Sequence, residues 1–211
     1  MKKYFGFTLI TALALCASQL SGAEVSKDAK EANKLAREGA EASKDQDWDK
    51  AIELLRKATD LDRKYADELS TVYQQRGYAA ASEQRFEDAI NDYSEALKLK
   101  SDDARIYEQR AAVEMKANNY DKALADYSEA IKLKPKEAKF YLYRSYIYET
   151  KDDVKNSMAD TEEVLKLDPN DKDARSRKER LEKRQSMPTP LSLSPIPAHT
   201  PKASSTPAKK P

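Results

Sequence analysis

General acid–base catalysis, thiol nucleophilicity and zinc binding all draw on His and Cys, and this chain of 211 residues holds one of each. His199 lies in the stretch SPIPAHTPKASS, where no regular element orients its ring, so it reads as a solvated imidazole. Cys16 lies in an apolar run near the start. One imidazole and one thiol assemble neither a Cys/His dyad nor a zinc site. Acid pairs such as Asp152-Asp153 and Glu162-Glu163 are adjacent in sequence. On a helix such neighbours point about 100° apart and face water rather than a shared substrate. Two of the four glycines, Gly6 and Gly22, fall in the first 23 residues, which leaves too few for a phosphate-cradling loop. The expectation is a chain that is not an enzyme, with no cofactor and no metal.

Two charged columns are more informative. Arg76, Arg110 and Arg144 are spaced by 34 residues, and so are Asp92, Asp126 and Asp160. The same interval separates DYSEALKLK (Asp92–Lys100) from DYSEAIKLK (Asp126–Lys134). A fixed self-similar period of this length marks a stacked architecture. The units are 32–65, 70–103, 104–137 and 138–171. The first offset is 38, so four extra residues fall in the Lys64–Leu69 connection, and either helix two of unit one or helix one of unit two is a turn longer.

Three columns are small: Gly39, Gly77, Ala111 and Ser145; Ala51, Ala89, Ala123 and Ser157; Ala58, Ala96, Ala130 and Val164. Side chains of this size are needed where two helix axes cross closely. Trp48, Phe86, Tyr120 and Val154 form a bulky column after a short polar turn, and Leu61, Leu99, Leu133 and Leu167 close the second helix of each unit. Pro135 and Pro169 follow as stops. With abundant Ala, Glu, Lys and Leu and little glycine, the chain reads as all-α, built from helix pairs that cannot bury their apolar faces alone.

This pattern resembles the tetratricopeptide repeat, over about Ala32 to Asp171. The resemblance implies antiparallel helix pairs stacked into a right-handed superhelical solenoid with a concave groove, of an exported bacterial type. Arg76, Arg110 and Arg144 depart from the family, which more often has leucine there. Each is expected to reach the Asp of its own unit in a partly buried ion pair. The family's groove is lined by the first helix of each unit. It maps here onto Arg37 and Ala40, then Gln74, Gln75 and Tyr78, then Arg105, Glu108, Gln109 and Ala112, then Lys139, Leu142, Tyr143 and Tyr146. Rings with a polar tip beside amides and cations suit an extended peptide of another protein. Tyr73, Tyr107 and Tyr141 belong instead to the column between the helices. The family's carboxylate-clamp chaperone subclass is disfavoured, because Ala36, Ala40, Gln75, Arg105, Gln109, Lys139 and Tyr143 match its clamp at too few positions.

The two ends carry different signals. Lys2 and Lys3, an apolar run to about Ala17 and the small-x-small triplet Ser21-Gly22-Ala23 read as a signal peptide over residues 1–23. Export to the periplasm or the secreted space follows. The alternative is an envelope lipoprotein anchored through Cys16, although Leu15 is large for the position before a lipidated cysteine. Residues 172–185 read as a capping helix with Ala174 and Leu181 on one face, and residues 186–211 as a disordered, proline-rich basic tail. From Lys172 onward ten basic residues outnumber three acids, whereas residues 24–171 carry a surplus of eight acids. Nothing in this balance suggests a nucleic-acid partner. The tail would meet an anionic membrane or wall polymer, fold back on its own acidic face, or act as a spacer. The expected function is a non-catalytic interaction module gripping an extended peptide, with an envelope-attached spacer or a self-associating oligomer as alternatives. Composition leaves the oligomeric state open.

Overall fold

The computed structural model describes residues 27–186, which form nine α-helices and one 3-10 turn, with no strand among them. The stretch expected to be a signal peptide, with Cys16, and the expected tail from residue 187 onward, with His199, lie outside the described residues. In chain order the helices are α1 (27–44), α2 (Trp48–Leu61), α3 (Ala66–Ser82), α4 (Phe86–Leu99), α5 (Ala104–Lys116), α6 (Tyr120–Leu133), α7 (Ala138–Thr150), α8 (Val154–Leu167) and α9 (Lys172–Ser186). From α2 onward each packs on the next, and none is long and apolar enough to cross a membrane. The four extra residues sit in α3, which has 17 residues where α5 and α7 have 13. It begins at Ala66, ahead of the 70–103 frame, after a 3-10 turn at Arg63–Tyr65.

The bulky column supplies the first residue of each second helix and the leucine column the last. Before each bulky residue the chain reverses through a left-handed residue: Gln46, Gln84, Asn118 and Asp152, at φ near 60°. In all four turns the next backbone N–H donates to a carbonyl five residues back, as from Arg85 to Ala80 and Asn119 to Glu114. This satisfies the helix end in the manner of a Schellman motif without the usual glycine. The three small columns are buried throughout. A Cβ added to Gly39 would come within 2.8 Å of the Leu55 Cγ, so the helices of unit one already touch. One core runs from Ala32 to Val113 and a second from Ala104 to Ile147, with Tyr107 packed against both.

Across this core runs a ladder of charge. Arg110 donates from Nε and Nη2 to both Asp126 oxygens at 2.8 and 2.7 Å, and Arg144 does the same to Asp160 at 2.8 Å each. Arg76 grips Asp92 likewise, with Nη2 at 2.7 Å from Oδ1. The remaining Nη1 reaches back to the preceding unit: Arg110 to Ser94 Oγ at 2.9 Å, and Arg144 to Ser128 Oγ at 3.0 Å. Those serines spend their own protons on the carbonyls of Ile90 and Leu124, so a lone pair faces each guanidinium. Unit one offers no serine; Arg56 stands in that column and turns to the Tyr73 hydroxyl, and Arg76 takes the Asp49 carboxylate instead, at 2.7 Å. Tyr73, Tyr107 and Tyr141 each lie under the arginine three residues on, at 5.8–6.0 Å. The carboxylates are nearly dry: the Asp126 side chain is 6% exposed and that of Arg110 is 23% exposed.

Asp126→Ala strands Arg110 and is expected to cost about 3–5 kcal/mol in urea unfolding. Arg110→Leu combined with Asp126→Ala should recover most of that loss, since an apolar pair of similar volume is tolerated. Gln84→Gly, which relieves a left-handed side chain, should raise stability by about 0.5–1 kcal/mol in the same measurement.

Candidate functional site

The first helices carry their polar and aromatic residues into two separate clefts. The first, of about 620 Å³, is lined by the end of α1 and by α3 and α5, including Ser43, Gln74, Gln75, Tyr78 and Gln109. Ser43 Oγ donates to Gln75 Oε1 at 2.9 Å, which ties α1 to α3 along one wall. Tyr78, one turn further along α3, stands out from the lining, 67% exposed. Gln109 Oε1 is the one buried side-chain polar atom without a hydrogen-bond partner among the described residues. A buried carbonyl oxygen left unpaired costs about 1–3 kcal/mol, and because Gln109 borders the cleft, a turn of its side chain would offer this acceptor to a donor held there.

The second cleft, of about 350 Å³, lies between α5, α6 and α7 and is walled by Tyr120, Tyr127, Tyr143 and Tyr146, with Met115 and Glu108. Tyr127 and Tyr143 stack with centroids 5.6 Å apart and planes 21° off parallel. Burial, helped by the neighbouring Tyr143 and Glu108, pushes the Tyr127 phenol well above its ordinary range, so it stays protonated. On the other side of the Tyr143–Tyr146 ridge a hollow of about 310 Å³ opens toward Arg177 and Arg180 of α9, with Leu142 in its lining.

The residues expected in the groove therefore divide. Gln74, Gln75, Tyr78 and Gln109 share the first cleft, and Glu108, Tyr143 and Tyr146 share the second. Lys139 bridges to Glu108 at 2.9 Å, joining α7 to α5 at the rim. Arg105 is turned back onto its own helix cap, bound to Asp103 at 2.9 Å. Arg37 lies apart, bordering a shallow hollow with Glu38, Glu41, Asp47 and Lys50. Sequence reasoning missed Tyr127 and Arg177, although the 34-residue period reaches both. Tyr127 repeats Tyr93, and Arg177 occupies the column of Gln75, Gln109 and Tyr143.

Arg177 is what makes α9 more than an apolar lid. Beside the buried Ala174 and Leu181, its guanidinium donates to Ser145 Oγ at 2.7 Å, the Leu142 carbonyl at 3.1 Å and Glu149 at 3.0 Å, and lies over the Tyr146 ring at 5.8 Å. Arg180 binds the same Glu149 carboxylate at 3.1 Å. Burial alone would raise the Glu149 carboxyl, but Arg180 and Arg177 outweigh it and hold it below the ordinary carboxylate range. No group of ligating side chains that could hold a metal ion occurs among the described residues.

Comparison with known proteins agrees with this architecture. A family model described as TPR repeat matches residues 77–117, and models described as tetratricopeptide repeat match 104–137 and 138–171. A search of curated proteins finds no match. Among solved structures, the Arabidopsis OM64 TPR domain is 32% identical, with a TM-score of 0.52 over 56% of this chain and 98% of that one. The first TPR of Spaghetti (RPAP3), bound to the HSP90 peptide SRMEEVD, is 18% identical with a TM-score of 0.54, over 57% of this chain and 96% of that one. The Yersinia enterocolitica type III secretion chaperone SycD, in complex with a peptide of the translocator YopD, is 18% identical with a TM-score of 0.52, over 56% and 95%.

A carboxyl whose folded pKa is depressed contributes stability above its unfolded value and loses it as pH falls through the folded one. Docking of α9 should therefore weaken as pH drops below 4.5, the ordinary glutamate value. Hydrogen exchange of the α9 amides is the readout, and Glu149→Gln should loosen the helix at neutral pH and flatten this acid dependence.

Proposed function

Because the chain belongs to the tetratricopeptide repeat family, we propose that it is a non-catalytic interaction module that holds an extended segment of another protein in the first cleft. The observation that carries this reading is the Gln109 oxygen, buried and unpaired in the lining of a cleft between first helices. An extended peptide has a backbone N–H to offer, and a donor brought to Gln109 converts a standing cost of the unbound protein into binding energy. Gln74 and Gln75 bring further amide groups to the same cleft, and the Tyr78 ring adds apolar area with a polar tip for one ligand side chain. RPAP3 and SycD, which share the fold, were each solved with a bound peptide. The lysine-led apolar start and the Ser21-Gly22-Ala23 triplet support export, so the partner would be met in the periplasm or outside the cell, in assembly, secretion or a chaperone-like task.

Panning a displayed library of extended random peptides against the full chain tests the proposal. Selected peptides should lose about tenfold in affinity on Gln109→Leu, the worth of one hydrogen bond, and a similar amount on Tyr78→Ala. Gln109→Leu should leave thermal stability unchanged or raise it by about 1 kcal/mol, because it removes the orphan oxygen. A library that yields no binder, or binders indifferent to both substitutions, would overturn the reading.

A further inference from the structure

The second cleft is chemically unlike the first. Its walls are ring faces, held in place by the Tyr127–Tyr143 stack, and the ridge of Tyr143 and Tyr146 is bordered on its far side by Arg177 and Arg180. Exposed flat rings that carry phenolic O–H donors, as Tyr143 and Tyr146 do, match one kind of segment well. A proline-rich strand in the polyproline conformation is extended, presents flat pyrrolidine faces, and leaves its backbone carbonyls unpaired. Lacking N–H groups at its prolines, such a strand is rich in acceptors and poor in donors. Aromatic-lined grooves recognise it for these reasons.

The chain carries a proline-rich segment of its own. Residues 187–211 contain seven of its nine prolines and three lysines, with no acid. α9 runs alongside α7 and ends a short way past the ridge: Arg177 meets Leu142 and Ser145, and Arg180 and Arg184 pair with Glu149 and Asp152 beyond Tyr146. Arg180 lines the ridge, and Ser186 follows six residues later, about 9 Å along the helix. At about 3.1 Å per residue the following segment could extend over roughly 78 Å, far more than is needed to turn back. The eight surplus acids of residues 24–171 outweigh the four surplus bases of α9, so the net field of the folded part attracts its lysines.

We propose that residues 187–211 dock on the Tyr143–Tyr146 ridge of their own chain, with prolines against the two rings, so that the carboxy-terminal half of the groove is occupied in cis until another segment displaces it. The proposal shares the repeat stack with the reading above but uses a different cleft and needs no partner protein.

The test compares two full-length proteins, the native chain and one with Pro188, Pro190, Pro195, Pro197 and Pro201 replaced by Ala. Each is titrated with a synthetic peptide of residues 187–211 by calorimetry. A tethered segment competes at an effective concentration near millimolar, so the native chain should bind the added peptide roughly tenfold more weakly than the replaced one. In the replaced background, Tyr143→Ala with Tyr146→Ala should abolish binding, the corresponding Phe substitutions should retain it within a few-fold, and Tyr78→Ala should leave it unchanged. The proposal falls if the peptide ignores the replaced protein, binds both proteins equally, survives loss of both rings, or binds as tightly once its own prolines are alanine. None of these outcomes bears on peptide capture at Gln109, which the library experiment decides separately.

Discussion

A guanidinium in a helical stack has to satisfy five donors in a fixed fork, and here that demand sets the register of three helices at once. Arg110 sits on α5, holds both oxygens of Asp126 on α6 and reaches Ser94 on α4. Sliding either neighbour by one residue would leave a charge unpaired away from water. A leucine in that column would bury apolar area without any directional requirement. The arginine exchanges some of that area for an arrangement with a single satisfactory geometry, and Arg144 repeats it 34 residues on.

The same register decides what faces the clefts. Four consecutive residues of α7 show how, because successive side chains turn by about 100°. Tyr143 stacks on Tyr127, Arg144 joins the ladder, Ser145 is buried at the crossing with α8 and Tyr146 stands in the open. Ser145 also hands its oxygen to Arg177, so the contact that seats α9 begins at a position chosen for its small size. Packing, charge pairing and cleft lining are thus alternate faces of one short helix.

Most of the fold was legible in the repeat. The small columns, the bulky starts and the leucine ends of all four units, and the Arg–Asp pairs of the last three, lie where the repeat puts them, because each answers a steric or electrostatic need that recurs from unit to unit. The placement of the four extra residues was not decidable from spacing, since a longer α2 and a longer α3 keep the same count. The clefts were only half legible. Column position puts Tyr78, Tyr143 and Tyr146 at the clefts, whereas Arg37 borders a separate hollow and Arg105 is held by its own Asp103 cap. Whether a side chain is already spoken for depends on neighbours that differ from unit to unit, and periodicity is blind to those differences.

One such difference gives the stack a direction. The later junctions close through a half-buried serine hydroxyl, whereas Arg76 closes the first through Asp49, whose side chain is 93% exposed. Mobile ions shield a pair in water far more than a neutral hydroxyl contact under cover. Rising ionic strength therefore weakens the Arg76 closure of the first junction and leaves the serine closures of the later two in place, so the arginine ladder is most salt-sensitive at its amino-terminal rung.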